Sequence, residues 1–419
     1  MADSDTQTRA TRVAADLADE RLIKSQGISG YLRLQLQRLR SGDLGNLPVI
    51  VGLVVISLGF YAENARFLSS RNIVAITQFA APIGIIALGI VLVLLLGEID
   101  LSVGSVSGMG AAVMAVLIVN EGYSTIIGLI GGALSGVAVG LVYGLLFTRI
   151  GVPSFVFSLA GLLGFQGVLL YVLGDNGTIN LPNDSYLLEF TRFSFLTGLA
   201  SYLLVVLVVG AYLAAELVTA RNRSKAGLAP PWWPLVFFKA GALAVGLGFL
   251  TYYVNIDRGF SYVWWLFVVL VVVMDFALRR TVWGRHVFAV GGNVEAARRS
   301  GIKVNRIYMS VFVLTSTLAA VGGMLGAGLL TSVSQATGTT DTNLTAIAAA
   351  VIGGTSLFGG RGSAYAALLG ILVLQAITSG LNLAGVESEV RFMVTGAVLL
   401  IAVAIDSVSR RARSSSGRG

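Results

Sequence analysis

The sequence has no cysteine and one histidine, His286, in 419 residues. The missing cysteine excludes a disulfide framework and any thiolate metal site. The single histidine excludes a metal centre built on histidines and leaves a histidine-based triad resting on one residue in a very basic stretch. Charge is scarce too, with Asp, Glu, Lys and Arg making up 12% of the chain, against about 25% in an average soluble domain. With 55% hydrophobic residues and a mean hydropathy of +0.83, there is too little polar surface to cover a soluble globule. No G-x-x-x-x-G-K-[ST] phosphate loop occurs, so the chain does not hydrolyse ATP by that chemistry.

Long apolar runs are abundant. Twelve candidate spans lie at about 47–63, 73–97, 102–120, 125–147, 153–174, 194–216, 235–254, 261–278, 307–331, 343–358, 363–384 and 391–408. Their lengths suit the roughly 20 residues a helix needs to cross about 30 Å of hydrocarbon. The expected fold is an all-α polytopic bundle of about 10–12 spans, forming one domain over 47–408. Two runs, 47–63 and 343–358, are short enough to be tilted, broken or re-entrant. Pro82 within the second run predicts a kink. The 52 glycines would weaken soluble helices but let membrane helices approach closely.

The formal charge of +8 does not argue for a nucleic-acid partner, because the basic residues track the ends of the apolar runs. With twelve crossings and the N-terminus inside, 23 of the 29 Lys and Arg fall on the inner side and five on the outer. That bias predicts both termini inside. Residues 1–46 and 409–419 read as basic cytosolic tails. The first apolar run starts near Leu47, so no cleaved signal peptide is expected. Two loops are long: a polar one at 175–193, expected outside, and a basic one at 279–306, expected inside.

Within 279–306, Glu295–Ser300 is a compact helix former. Asn293 is placed as its N-cap, Glu295 and Arg298-Arg299 suit the two ends of its dipole, and Gly301 is placed to end it. A short rigid helix tied to spans on both sides is a mechanical handle; an ordinary basic loop is the plainer alternative. Elsewhere, Glu98 and Asp100 close the second span. Ionisable groups there mark a translocation path or gate, or Asp100 and Ser102 cap the next helix. Phe155, Gln166, Thr331 and Gln335, with Gln78, Ser334, Asn343 and Gln375, are candidates for lining a path or for hydrogen bonds between helices.

Several ordered blocks resemble a known family. Glu295-Ala296-Ala297-x-x-x-Gly301 is similar to the E-A-A-x-x-x-G loop of ATP-binding-cassette (ABC) importer permeases. Glu98-Ile99-Asp100-Leu101-Ser102-Val103-Gly104-Ser105, Val152-Pro153-Ser154-Phe155 with Leu159-Ala160-Gly161, Gly291-Gly292-Asn293 and Ile352-Gly353-Gly354-Thr355-Ser356-Leu357 resemble segments of the ribose, xylose and galactose permeases. Phe67 to Asn72, Asn176-Gly177-Thr178 and the extra basic segment 217–234 are nearest in pattern to the D-xylose permeases. The sequence departs from the pattern at Ser158, where the family often has threonine, and in its longer 1–46 tail.

The resemblance implies a multi-pass transport subunit in a bacterial cytoplasmic membrane, surrounded by lipid and paired as a homodimer. It implies a separate ABC ATPase subunit holding ATP and Mg, an external sugar-binding protein, and a monosaccharide cargo. No cofactor or metal is expected in this chain. It also implies that Gly292, Asn293, Glu295, Ala296, Ala297, Arg298 and Gly301 couple to the ATPase. The rivals are the same machine with another cargo (ribose, galactose, a nucleoside or a branched-chain amino acid), an ion-coupled secondary transporter, and a membrane-embedded enzyme.

Overall fold

The computed structural model describes residues 47–225 and 231–391, with 393, 394, 396–398, 400 and 404 beyond them. Both basic tails and most of the expected run 391–408 lie outside the described residues.

The apolar runs are helices. They are α1 Leu47–Glu63, α2 Ser70–Leu95, α3 Val103–Asn120, α4 Thr125–Ile150, α5 Ser154–Leu173, α6 Gly198–Lys225, α7 Trp233–Asn255 and α8 Tyr262–Arg280. After two short helices, α9 Val282–Gly292 and α10 Val294–Arg299, come α11 Val304–Leu330, α12 Thr340–Ile352 and α13 Tyr365–Leu383. Among the described residues nine helices are long and apolar enough to cross a membrane, and α1 and α12 are shorter apolar helices. Among the described residues, strand structure is confined to two short antiparallel ladders: β1 Thr178–Asn180 with β4 Ser332–Ser334, and β2 Phe195–Leu196 with β3 Phe260–Ser261. The fold is an all-α polytopic bundle.

Two compact units are present. In the first, Thr197–Gly259, α6 and α7 form a hairpin. Arg223 and Lys225 sit in the last turn of α6, where cations suit the helix dipole. Pro234 opens α7, a position that loses no intrahelical bond, and Asn255 Nδ2 donates to Ser201 Oγ at 2.8 Å.

The second unit comprises Asn46–Leu196 and Phe260 onward. Its centre is α2, where Ile85, Leu88, Leu92 and Leu95 are fully buried. Lipid offers helices no hydrophobic drive to associate, so close backbone packing must supply it. Helix α4 meets that need with glycine at 128, 132, 136, 140 and 144, one every four residues and hence on one face. A Cβ at Gly132 would lie 2.6 Å from the Gly110 carbonyl of α3, and one at Gly136 2.6 Å from the Ser316 carbonyl of α11. Pro82 lies inside α2. Its carbonyl packs on Gly322 of α11, where a Cβ would be 2.6 Å away.

One crossing is not a simple helix. Helix α11 runs for 27 residues, about 40 Å at 1.5 Å per residue, away from the end of the unit that carries α10. The chain returns through residues 331–352. The segment 331–339 is non-helical and includes β4; α12 supplies the remaining 13 residues. The return is complete because Gly360 N–H donates to the Leu95 carbonyl at 2.9 Å, beside Gly291 of α9. The apolar run expected at 343–358 is thus helical only to Ile352, where Gly353 and Gly354 follow, Gly354 with φ +100°.

Candidate functional site

Three places concentrate polar side chains: the α9–α10 element, the linker between α2 and α3, and the non-helical segment before α12.

Helix α10 is defined at both ends by its own sequence. Asn293 Oδ1 accepts from the Ala296 N–H at 2.9 Å, which satisfies one free donor of the first turn. At the other end the Ile302 N–H bonds the Ala297 carbonyl (3.2 Å) and the Gly301 N–H bonds the Arg298 carbonyl (3.0 Å). That pair is a Schellman motif, and it requires the left-handed backbone that Gly301 adopts at φ +82°. Glu295 lies 3.4 Å from Arg298 and 3.5 Å from Arg299. All three are well exposed, so these pairs add little stability and leave a charged outer face. Ala297 is buried at 4% exposure, whereas Ala296 faces out. The two alanines therefore differ in use: one seats the helix on the protein and the other presents a small, flat surface.

Helix α9 ties this element to the bundle. At Gly291 any Cβ would collide with the Leu95 carbonyl at the end of α2, and one at Gly359 would lie 2.6 Å from the Gly291 carbonyl. The close approach of Gly291, Leu95 and residues 359–360 joins α9, the end of α2 and the α12–α13 connection. Gly292, by contrast, ends α9 in open space.

In the linker 96–102, Asp100 is 1% exposed and Ser102 is fully buried. Asp100 Oδ1 accepts from the Ser102 N–H (2.8 Å) and from Ser102 Oγ (2.7 Å), and Tyr143 Oη donates to Ser102 Oγ at 2.7 Å. The linker backbone is held from two sides. The Ile99 N–H donates to Ser154 Oγ at 3.3 Å, and Asn343 Nδ2 donates to the Leu101 carbonyl. Asp100 Oδ2 and Asn343 Oδ1 are buried without a partner among the described residues. Asp100 thus accepts the backbone N–H that opens the next helix, while Ser102 makes no side-chain cap.

In the third place, Thr331 ends α11 with φ +61°, the one non-glycine residue of positive φ among the described residues. The backbone beyond it is bonded on both sides. The Leu181 N–H donates to the Thr331 carbonyl (2.9 Å) and the Gln335 N–H to the Gly177 carbonyl (3.1 Å). Gln166 Nε2 donates to the Gln335 carbonyl at 2.9 Å. Deeper in the bundle, Gly104 and Gly108 of α3 receive residues 337–339 so closely that a Cβ at either would clash.

These arrangements can be set against known proteins. The family described as branched-chain amino acid transport system / permease component matches residues 72–229 and 237–403. The chain belongs to this permease family. It is 32% identical over 374 residues to the xylose transport system permease protein of Escherichia coli (strain K12), covering 89% of this chain and 94% of that one. It is 30% identical over 377 residues to the ribose import permease protein of Bacillus subtilis (strain 168), covering 89% and 97%. It is 30% identical over 380 residues to the fructose import permease protein of Rhizobium meliloti, covering 90% and 89%. No solved structure matches.

Within this permease the seven coupling candidates form one contiguous element. The path candidates split. Glu98, Asp100 and Ser102 gather in the linker, whereas Gln166 and Gln335 meet about 18 Å along α5 from its start, at 1.5 Å per residue. Phe155 stands 55% exposed on the first turn of α5. Gln78, another polar candidate, is spent holding the Thr191 carbonyl at 2.9 Å. Sequence reasoning did not single out Tyr143 as the partner of Ser102, the Gly291–Leu95 junction, or Asp341. The signal for Asp341 was present: a carboxylate just before an apolar run whose expected start, 343, is three residues later than that of α12.

Proposed function

We propose that this chain is the membrane-spanning subunit of an ABC importer for a monosaccharide, with D-xylose or a related pentose or hexose as cargo. A separate ATPase subunit holds ATP and Mg and grips α9–α10. Two copies of the permease pair around a central passage, and an external binding protein delivers the sugar. The chain sits in the bacterial cytoplasmic membrane with both termini inside. The observation that carries this reading is a preformed, exposed helix, capped at both ends, whose neighbour α9 is wedged against α2 and the α12–α13 connection at Gly291. Closure of the ATPase pair moves α10, and the glycine junction passes that movement to the central helix of the bundle. The relatives' names support a sugar as cargo, and the family's own description keeps a branched-chain amino acid as the second reading.

The test is Gly301→Asp, with ATPase assembly and sugar uptake both measured. Any side chain at φ +82° is strained, so α10 loses its end and both assembly and uptake should fall. Unchanged uptake would remove the coupling role. Uptake by the unaltered chain that survives ATP depletion and collapses with the ion gradient would replace the importer by a secondary transporter.

A further inference from the structure

The return crossing 331–352 puts polar groups where a lipid-facing protein does not tolerate them. Gln335, Ala336 and Asp341 are exposed. The first two lie on backbone that is neither helix nor part of a closed barrel. Their depth follows from what they adjoin: residues 337–339 pack on Gly104 and Gly108 of the spanning helix α3, and Asn343 bonds the Leu101 carbonyl. Irregular backbone at membrane depth occurs only where protein or a water-filled cavity covers it, and ionisable side chains there face the same surroundings. Lipid is therefore excluded as the neighbour of this face.

We propose that the exposed side of 335–341, with Gln166 of α5, is the sugar-facing wall of the passage, and that the Asp341 carboxylate takes a hydroxyl of a monosaccharide in transit. This deepens the importer reading above and rests on it; the second permease copy supplies the facing wall. The chemistry fits a polyhydroxylated ligand. A carboxylate accepts only, a glutamine amide both donates and accepts, and the pair can exchange hydroxyls without holding any one tightly. The groups are held in place. Thr339 Oγ1 donates to Asp341 Oδ1 at 2.7 Å, leaving that carboxylate further lone pairs, and Gln166 anchors the strand to α5 through the Gln335 carbonyl. The ladder of β1 with β4 fixes the segment at its other end.

The absence of cysteine makes the test clean. Ala336→Cys is placed in the assembled importer in native membranes and exposed to a charged, membrane-impermeant thiosulfonate, with Tyr123→Cys as the water-exposed control. A thiol reacts as thiolate, which lipid suppresses. Labelling of Ala336→Cys in at least one nucleotide state, slowed by added D-xylose with its binding protein, is expected; no labelling in any state overturns the proposal. In parallel, Asp341→Asn should cut ATP-driven uptake about tenfold, the loss of one charge-assisted hydrogen bond, with ATPase assembly unchanged. Uptake at the unaltered level overturns it. Should Asp341→Asn fail to assemble, Gln166→Ala is read by the same two criteria. Failure of the importer reading shows separately, as an unaltered chain that forms no complex with a nucleotide hydrolase.

Discussion

The two breaks in helical structure at 96–102 and at 331–339 both carry polar side chains and are finished in opposite ways. In the first, the polar groups are turned inward: Asp100, Ser102 and Tyr143 bond one another, and Ser154 and Asn343 hold the linker backbone. In the second, the Gly177 carbonyl and the Leu181 N–H pin the backbone and Gln166 joins it from α5, while Gln335 and Ala336, with Asp341 in the first turn of α12, are exposed. A break can serve as a joint or as a surface. The buried break spends most of its polar atoms on hydrogen bonds inside the protein, with Asp100 Oδ2 and Asn343 Oδ1 left over, so those side chains act chiefly in structure. A break with polar side chains to spare has them available for a ligand. Substitutions in the closed break should therefore act on stability, and those in the open break on transport.

The contrast breaks most severely at the contact between the two. Gly108→Val drives a side chain into the Thr337 carbonyl; over-packing of this kind costs about 1–3 kcal/mol or more. Loss of both folded yield and uptake is expected, measured by size-exclusion recovery and transport. Next comes Asp100→Ala, which strips the Ser102 N–H and hydroxyl of their acceptor inside the protein. A loss of about 2–3 kcal/mol should show as a lower thermal midpoint in detergent. Asp100→Asn should stay within about 1 kcal/mol of the unaltered protein, because its amide keeps an acceptor for Ser102. Tyr143→Phe removes one hydroxyl bond to Ser102 and should cost about 1 kcal/mol. Smallest in stability is Gln166→Ala, expected within about 0.5 kcal/mol because its amide is partly exposed, yet with reduced uptake. A Gln166→Ala protein as unstable as Asp100→Ala would erase the distinction between the breaks.

The helices were legible in the sequence because runs such as 73–97 and 307–331 are set by bilayer thickness, a constraint that acts residue by residue. The same is true of α10: Asn293, Glu295 and Gly301 each act on atoms within five residues, so their spacing alone specified the cap, the dipole pairing and the stop. The breaks were less legible. Nothing local to Ser102 points to Tyr143, 41 residues away, and nothing near Gln335 points to Gln166, 169 residues away. Hydropathy placed the start of the tenth run at 343 because Thr339, Thr340 and Asp341 are polar. It could not distinguish a free loop from chain packed on Gly104 and Gly108. The glycines of α4 were countable, but their partners on α3 and α11 became visible only in three dimensions.

The claim on which the account depends is that an external motor holds α10. Glu295→Cys, the only thiol in an otherwise cysteine-free chain, can be joined by a short bifunctional reagent to whatever touches it in native membranes. The account predicts an adduct with a nucleotide-hydrolysing subunit, formed in parallel with ATP-driven sugar uptake. An adduct only with lipid, or with a protein on the outer side of the membrane, would contradict it.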